Sequence, residues 1–133
     1  MRSRASVKGH PIHPMLVPFP FAFLTGGWAF GVAAAITRKK DLATVSRHLI
    51  PTGIAAGLLA AVPGIVDYLT TVPPESSAQE RATRHGLINS SALALFAAGW
   101  ALHRRYRRSA LFLQSLGAGA ISVGGWNRCR TAC

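Results

Sequence analysis

Three histidines, one aspartate and one asparagine hold the groups in this chain best suited to chemistry. His10 and His13 lie in Gly9-His10-Pro11-Ile12-His13-Pro14, Asp67 precedes Tyr68, and His85 is followed four residues later by Asn89. Imidazoles ligate metals, serve as axial ligands of haem iron and carry protons near neutral pH. A carboxylate or amide beside an imidazole fixes its orientation and raises its basicity. Chemistry by these five residues requires elements that bring them to one place.

Those elements are legible in the apolar profile. Met15 to Ile36, His48 to Val72, Gly86 to Leu102 and Ser109 to Trp126 are nearly free of charge, and each approaches the roughly 20 residues that cross a hydrocarbon core. The expectation is an all-α integral membrane protein, a single four-transmembrane-helix bundle over residues 1–133. Composition agrees: of 133 residues, 50% are apolar, 14% are charged and 13 are glycine, a balance unlike that of a water-soluble domain.

The net charge of +11 does not point to nucleic acid. Much of it is concentrated in Arg38, Lys39, Lys40 and Arg47, and in Arg104, Arg105, Arg107 and Arg108, in the two segments that join spans one to two and three to four. Such clusters read as topology signals facing anionic headgroups. They place these connections in the cytoplasm and both termini outside. Arg2, Arg4 and Lys8 ahead of the first apolar run have the layout of a signal peptide, but the run exceeds the 7 to 15 residues or so of a secretory core and reads as a retained anchor. Cys129 and Cys133 lack the spacing of a zinc or haem-attachment motif.

Four spans sort the polar residues by side. His10 and His13 precede the first span, Asp67 lies near the end of the second, and His85 and Asn89 stand at the start of the third, so all five share one side. His48 and His103 lie at the other. Asp67 is expected about 7 Å inside its span, at about 1.5 Å per residue, where a carboxylate needs a partner. Two roles are open to it: a helix-terminal acid paired with Arg81 or Arg84, or a group orienting an imidazole. The prolines after His10 and His13 push both out of helical geometry, and polyproline spacing sets them about 9 Å apart. Two such ligands do not complete a zinc site. His85 and Asn89 share one helix face, and His13 and His85 fall at similar depth on two helices, where an imidazole pair can hold a haem b.

Small residues repeat every fourth position at Gly27 and Gly31, Gly53 and Gly57, Ala56, Ala60 and Gly64, and Ala120 and Gly124, faces that allow close helix approach. Pro18, Pro20, Pro51 and Pro63 bend or begin helices. No Gly-x-Ser-x-Gly turn or phosphate-binding Gly-rich loop is present, which argues against hydrolase and nucleotide chemistry.

The opening from Gly9 to Pro20, the Pro63-Gly64-Ile65-Val66-Asp67-Tyr68 segment, and His85 with Asn89 together resemble the bacterial membrane family called domain of unknown function 2231 (DUF2231), over nearly the whole chain to about Trp126. The resemblance implies a four-span module of the bacterial inner membrane. Some relatives are joined to Rieske or cytochrome-type domains, which implies a place near electron transfer. The chain departs from the family after Gly124-Gly125-Trp126, where the tail Asn127 to Cys133 reads like a truncation or a shifted frame.

Three functions follow as expectations. One is a redox-associated module in which His13 and His85 contact haem or quinone, supported by Asp67 and Asn89, with His10 nearby. Another is an accessory subunit without cofactor, and the third a small proton-coupled transporter using Asp67. Expected partners are the lipid bilayer, redox membrane proteins and a second copy of the chain.

Overall fold

Hydropathy reports which turns dissolve in hydrocarbon, whereas helicity continues for as long as the backbone can bond to itself, and the helices here outrun the apolar stretches. The computed structural model describes residues 6–7 and 10–130. Arg2, Arg4, Lys8, Gly9 and Cys133, which enter the readings of leader, opening motif and tail, lie outside the described residues. A short antiparallel pairing of β1 (Ser6–Val7) with β2 (His10–Pro11) sets Ser6 opposite Pro11 and Val7 opposite His10. After it come α1 (Ile12–Leu16), α2 (Pro18–Thr37), α3 (Lys40–Thr70), α4 (Ser77–Leu102) and α5 (Arg107–Arg130).

The boundaries have local causes. Pro18 stands at the first position of α2, where its missing N–H is not needed. α2 ends with Arg38 in the left-handed region (φ 59°), its N–H bonded to the Ala34 carbonyl at 3.0 Å, a C-cap usually built with glycine. α3 begins at Lys40 rather than near His48. Asp41 lies in its first turn, where a carboxylate complements the positive helix end, so Arg47 is on a helix and not in a loop. α3 runs through Pro51 and Pro63 for 31 residues, about 46 Å at about 1.5 Å per residue. It stops at Thr70, ahead of Pro73. α4 begins at Ser77, well before Gly86, because Ser76 caps it: the Ser76 hydroxyl accepts from Gln79 N at 3.2 Å while Gln79 Oε1 accepts from Glu75 N at 2.7 Å, a variant of the capping box.

α2 packs along α3 and α4 along α5, with α3 also touching α4 and α2 touching α5. Each long helix contributes one residue to the central cluster: Leu24, Ile50, Phe96 and Ala118, flanked by Trp28, Ile54, Leu93 and Ile121. Glycine permits the approach. A methyl on Gly27 would lie 2.7 Å from Ile50 Cγ1, and one on Gly53 would lie 2.8 Å from Leu24 Cγ and 3.0 Å from its backbone nitrogen. On α5 the close approach described is at Gly117, 2.9 Å from the Phe96 ring by the same measure, one turn before the expected Ala120 and Gly124. Trp28 Nε1 donates to Ser115 Oγ at 3.0 Å and so ties α2 to α5.

The outer surface is apolar. Leu58, Val62, Ile65 and Leu69 form an exposed stripe along α3, and Phe112, Leu116 and Val123 form another along α5, more contiguous hydrophobe than water tolerates. The hydroxyls of Thr25, Thr52, Thr70 and Ser115 donate to the carbonyl four residues back, which removes their need for water. Among the described residues, Ile12–Thr37 and Lys40–Thr70 are long and apolar enough to cross a membrane. The expected third and fourth spans are diluted by Asn89, Ser90 and Ser91 in α4 and by Gln114 and Ser115 in α5.

Gly53→Ala should lower the unfolding temperature in detergent, the overpacking costing about 1–3 kcal/mol. Gly119→Ala, which meets nothing within 4 Å, should be neutral or stabilising by up to about 1 kcal/mol. Equal stability of the two variants would contradict the α2–α3 seam.

Candidate functional site

The candidate site is assembled where α1 meets α3 and α4. Pro14 precludes only a hydrogen bond that the first turn of a helix lacks anyway, so His13 is helical in α1 despite the proline after it. The His13 carbonyl accepts from Val17 N at 3.1 Å, which closes the turn. His10, by contrast, is extended in β2 and exposed. The expected polyproline spacing of the two histidines therefore does not hold, and they play different structural parts.

His13 is half-buried, and its Nδ1–H donates to the Ala60 carbonyl at 2.7 Å. Because a carbonyl can only accept, the proton of the neutral ring is on Nδ1 and the lone pair is on Nε2. The ring lies over Gly64, where a methyl group would be 2.9 Å from both Cε1 and Nδ1. The sequence marked Ala60 and Gly64 as a small-residue face for helix packing. The structure gives them a sharper task, since one accepts the His13 proton and the other leaves room for its ring.

His85 faces His13 from α4, with ring centroids 6.5 Å apart and planes at 80°. Asn89, one turn on, holds it: the Asn89 amide nitrogen donates to the His85 carbonyl at 2.8 Å and stands 2.9 Å from Nδ1 and 3.1 Å from Nε2 of the ring. Tyr68 Oη and Thr83 Oγ1, 2.7 Å apart, join α3 to α4 nearby in sequence, a link that the sequence reading missed because neither residue stands out by type. An open groove lined by Tyr68, Thr83, Arg84, Leu87 and Ile88, among others, occupies the same turns of α4 as His85.

Asp67 is half-buried in the last turn of α3, three residues before the helix ends at Thr70. Its carbonyl accepts from Thr71 N at 2.9 Å and Val72 N at 3.3 Å. The depth expected from a span reaching Val72 is thereby reduced, since the backbone turns away before Pro73. Of the five residues singled out, the structure thus joins His13, His85 and Asn89, sets Asp67 at the same end of α3, and leaves His10 on the surface.

Two imidazoles on opposite sides of one ion stand with their nitrogens about 4 Å apart, at about 2 Å per metal–nitrogen bond. A centroid separation of 6.5 Å accommodates that span. Among the described residues no group of three or more His, Cys, Asp or Glu converges on a metal position, and a bare zinc ion wants four ligands. The donor set suits an iron that arrives with its own equatorial nitrogens, or a carbonyl-bearing ligand that needs only hydrogen bonds.

A family model described as "Predicted membrane protein (DUF2231)" matches residues 9–126. The chain belongs to this family of predicted membrane proteins. No curated protein and no solved structure matches it.

Gly64→Ala should displace the His13 ring and break its bond to Ala60. In ¹⁵N spectra of the imidazoles, the His13 Nδ1 signal should lose its single-tautomer position and become exchange-averaged, with His85 less affected. An unaltered His13 signal would refute the ring-on-glycine contact.

Proposed function

We propose that the protein spans the cell membrane four times, as a bundle of α2 to α5, and that the His13–His85 pair at one membrane edge contacts a redox ligand, a haem or a quinone, in electron transfer. The four-span reading is supported by the shared core: α4 and α5 supply Phe96 and Ala118 to the same cluster as Leu24 and Ile50. Sharing a core with two helices long and apolar enough to cross a membrane favours the same layer for α4 and α5. The Gly86 to Leu102 and Ser109 to Val123 segments carry no charge.

The observation that carries the redox reading is the Nδ1–H bond of His13 to the Ala60 carbonyl. It is the outer-shell arrangement that fixes the tautomer of a ligating histidine and makes its other nitrogen more basic. Asn89 performs the corresponding service for His85 by holding the ring against α4. When bound, a haem or quinone would supply the electron-carrying centre. The chain itself orients two imidazoles and keeps a lone pair on His13 Nε2. A second reading rests on the same bond: the His13–Ala60 contact clasps α1 to α3, and the pair is then a structural lock.

Oxidised and dithionite-reduced spectra of the protein, purified in mild detergent from cells supplied with haem precursor, distinguish the two, together with a quinone assay of the bound lipid. The expected result is a Soret band with sharp reduced bands, or a retained quinone, lost in both His13→Ala and His85→Ala while circular dichroism stays helical. A colourless protein without quinone, in which His13→Ala only lowers thermal stability, would overturn the redox reading in favour of the lock.

A further inference from the structure

At the opposite end of the helices, a second polar site lies beneath the basic clusters. Gly31 and Ala34 of α2, Ser46, Arg47 and Ile50 of α3, Trp100 of α4, and Arg107 and Gln114 of α5 line a cavity of about 30 Å³. His103, the C-cap of α4, closes its rim. That volume holds about two waters.

Two features separate this cavity from an ordinary packing gap. First, its inner wall is polar and buried. Ser46 is 8% exposed and Gln114 4%, and among the described residues neither side chain has a hydrogen-bond partner, although both line the space. Their polar atoms face that space and not packed protein, since among the described residues no buried side-chain nitrogen or oxygen lacks a partner, so a ligand or water in the cavity can bond to them. Their room comes from glycine: a methyl on Gly31 would stand 3.0 Å from Ser46 Oγ, and one on Gly99 would stand 3.3 Å from Gln114 Nε2. Second, its rim is cationic on every side that carries a titratable group. Arg47 comes from α3 and Arg107 from the first turn of α5, while α2 contributes only Gly31 and Ala34; Arg104, in the α4–α5 connection outside the lining, adds its charge at His103. Arg107 opens a 24-residue helix, whose N-terminal amides add to the positive field.

We propose that this cavity binds a phosphate oxyanion, with Arg47 and Arg107 neutralising its charge at the rim and the Ser46 hydroxyl and Gln114 amide donating hydrogen bonds from within. A free phosphate and the headgroup phosphate of an anionic lipid share that chemistry, and the position beside the apolar outer surface exposes the site to both. His103 is the built-in reporter. Burial, then Arg47, Arg107 and Arg104, hold its imidazole below the ordinary value. An anion among the same arginines favours the charged ring and moves that value upward. Protonation of His103 therefore favours a bound anion, an effect seen directly with a phosphodiester headgroup, whose charge is constant near neutral pH, and offset for free phosphate, which itself loses charge as pH falls.

The test follows the His103 imidazole by NMR across pH in the full chain, in nanodiscs of phosphatidylcholine alone. Inorganic phosphate is titrated in one arm, and phosphatidylglycerol is included in the bilayer in the other. A saturable upward shift with phosphate identifies the free anion, and a shift only with phosphatidylglycerol identifies the headgroup. Arg47→Gln and Arg107→Gln should each weaken the response about tenfold or more, the scale of a lost charge-assisted hydrogen bond. Ser46→Ala should weaken it less. Arg108→Gln, outside the lining, should leave it intact, as a diffuse surface charge effect would not. No shift in either arm, or equal responses in the Arg47, Arg107 and Arg108 variants, would overturn the proposal. If Arg47→Gln fails to fold, the Ser46→Ala and Arg107→Gln comparison with Arg108→Gln decides it.

Discussion

The close contact of α2 with α3 sets the geometry of everything else. At Gly27 and Gly53 the helices meet at distances that leave no room for even a methyl group, so the register of one against the other is fixed by steric exclusion. In hydrocarbon the hydrophobic effect does little to bring helices together, and van der Waals packing between small-residue faces takes its place. Moving along that seam toward the start of α2, the same register brings α1 across α3 and lays His13 over Gly64. Toward the other end it sets Gly31 beside Ser46. Both polar sites are consequences of one packing choice.

The two sites differ in how they handle their polar groups. Near α1, both imidazoles of the facing pair are committed: His13 to the Ala60 carbonyl, His85 to Asn89. A satisfied pair of this kind is rigid, and rigidity is what a ligand-orienting site needs. Near His103, Ser46 and Gln114 are buried facing a small cavity instead, and the surrounding charge is uniformly positive. The first arrangement presents a lone pair, and the second presents donors and cations. The two arrangements are of opposite electronic character and lie at opposite ends of the helices.

Much of this was legible in advance, and the reasons for the exceptions are physical. The helical architecture follows from long uncharged stretches punctuated by basic clusters, and the resemblance to DUF2231 from the Gly9 to Pro20 opening, the Pro63 to Tyr68 segment and His85 with Asn89, which the family match bears out. The partnership of His85 with Asn89 follows from a four-residue spacing on a helix. The starts of α3 and α4 were misplaced because Asp41 and Ser76 initiate helices outside the apolar stretches, where hydropathy has no signal. His13 was read as extended because Pro14 disfavours helix in isolation, whereas a first helical turn accommodates proline. A span drawn to Val72 sets Asp67 five residues inside its end, whereas α3 stops at Thr70, three residues beyond Asp67 and ahead of Pro73.

What the sequence determined by itself is therefore the inventory: helices with small-residue faces, His10, His13 and His85 on one side and the two dense basic clusters on the other. These depend on periodicity and composition, which are local properties. Tertiary structure decided which members of the inventory meet. Nothing in residue type marks Ala60 as the acceptor for His13, since the acceptor is a backbone carbonyl that every residue possesses. Nor does anything mark Ser46 of α3 and Gln114 of α5 as lining one cavity, where Gly31 and Gly99 leave them room. Contacts between helices depend on register to within a fraction of a residue, and register is settled by the sum of close packing over the whole interface.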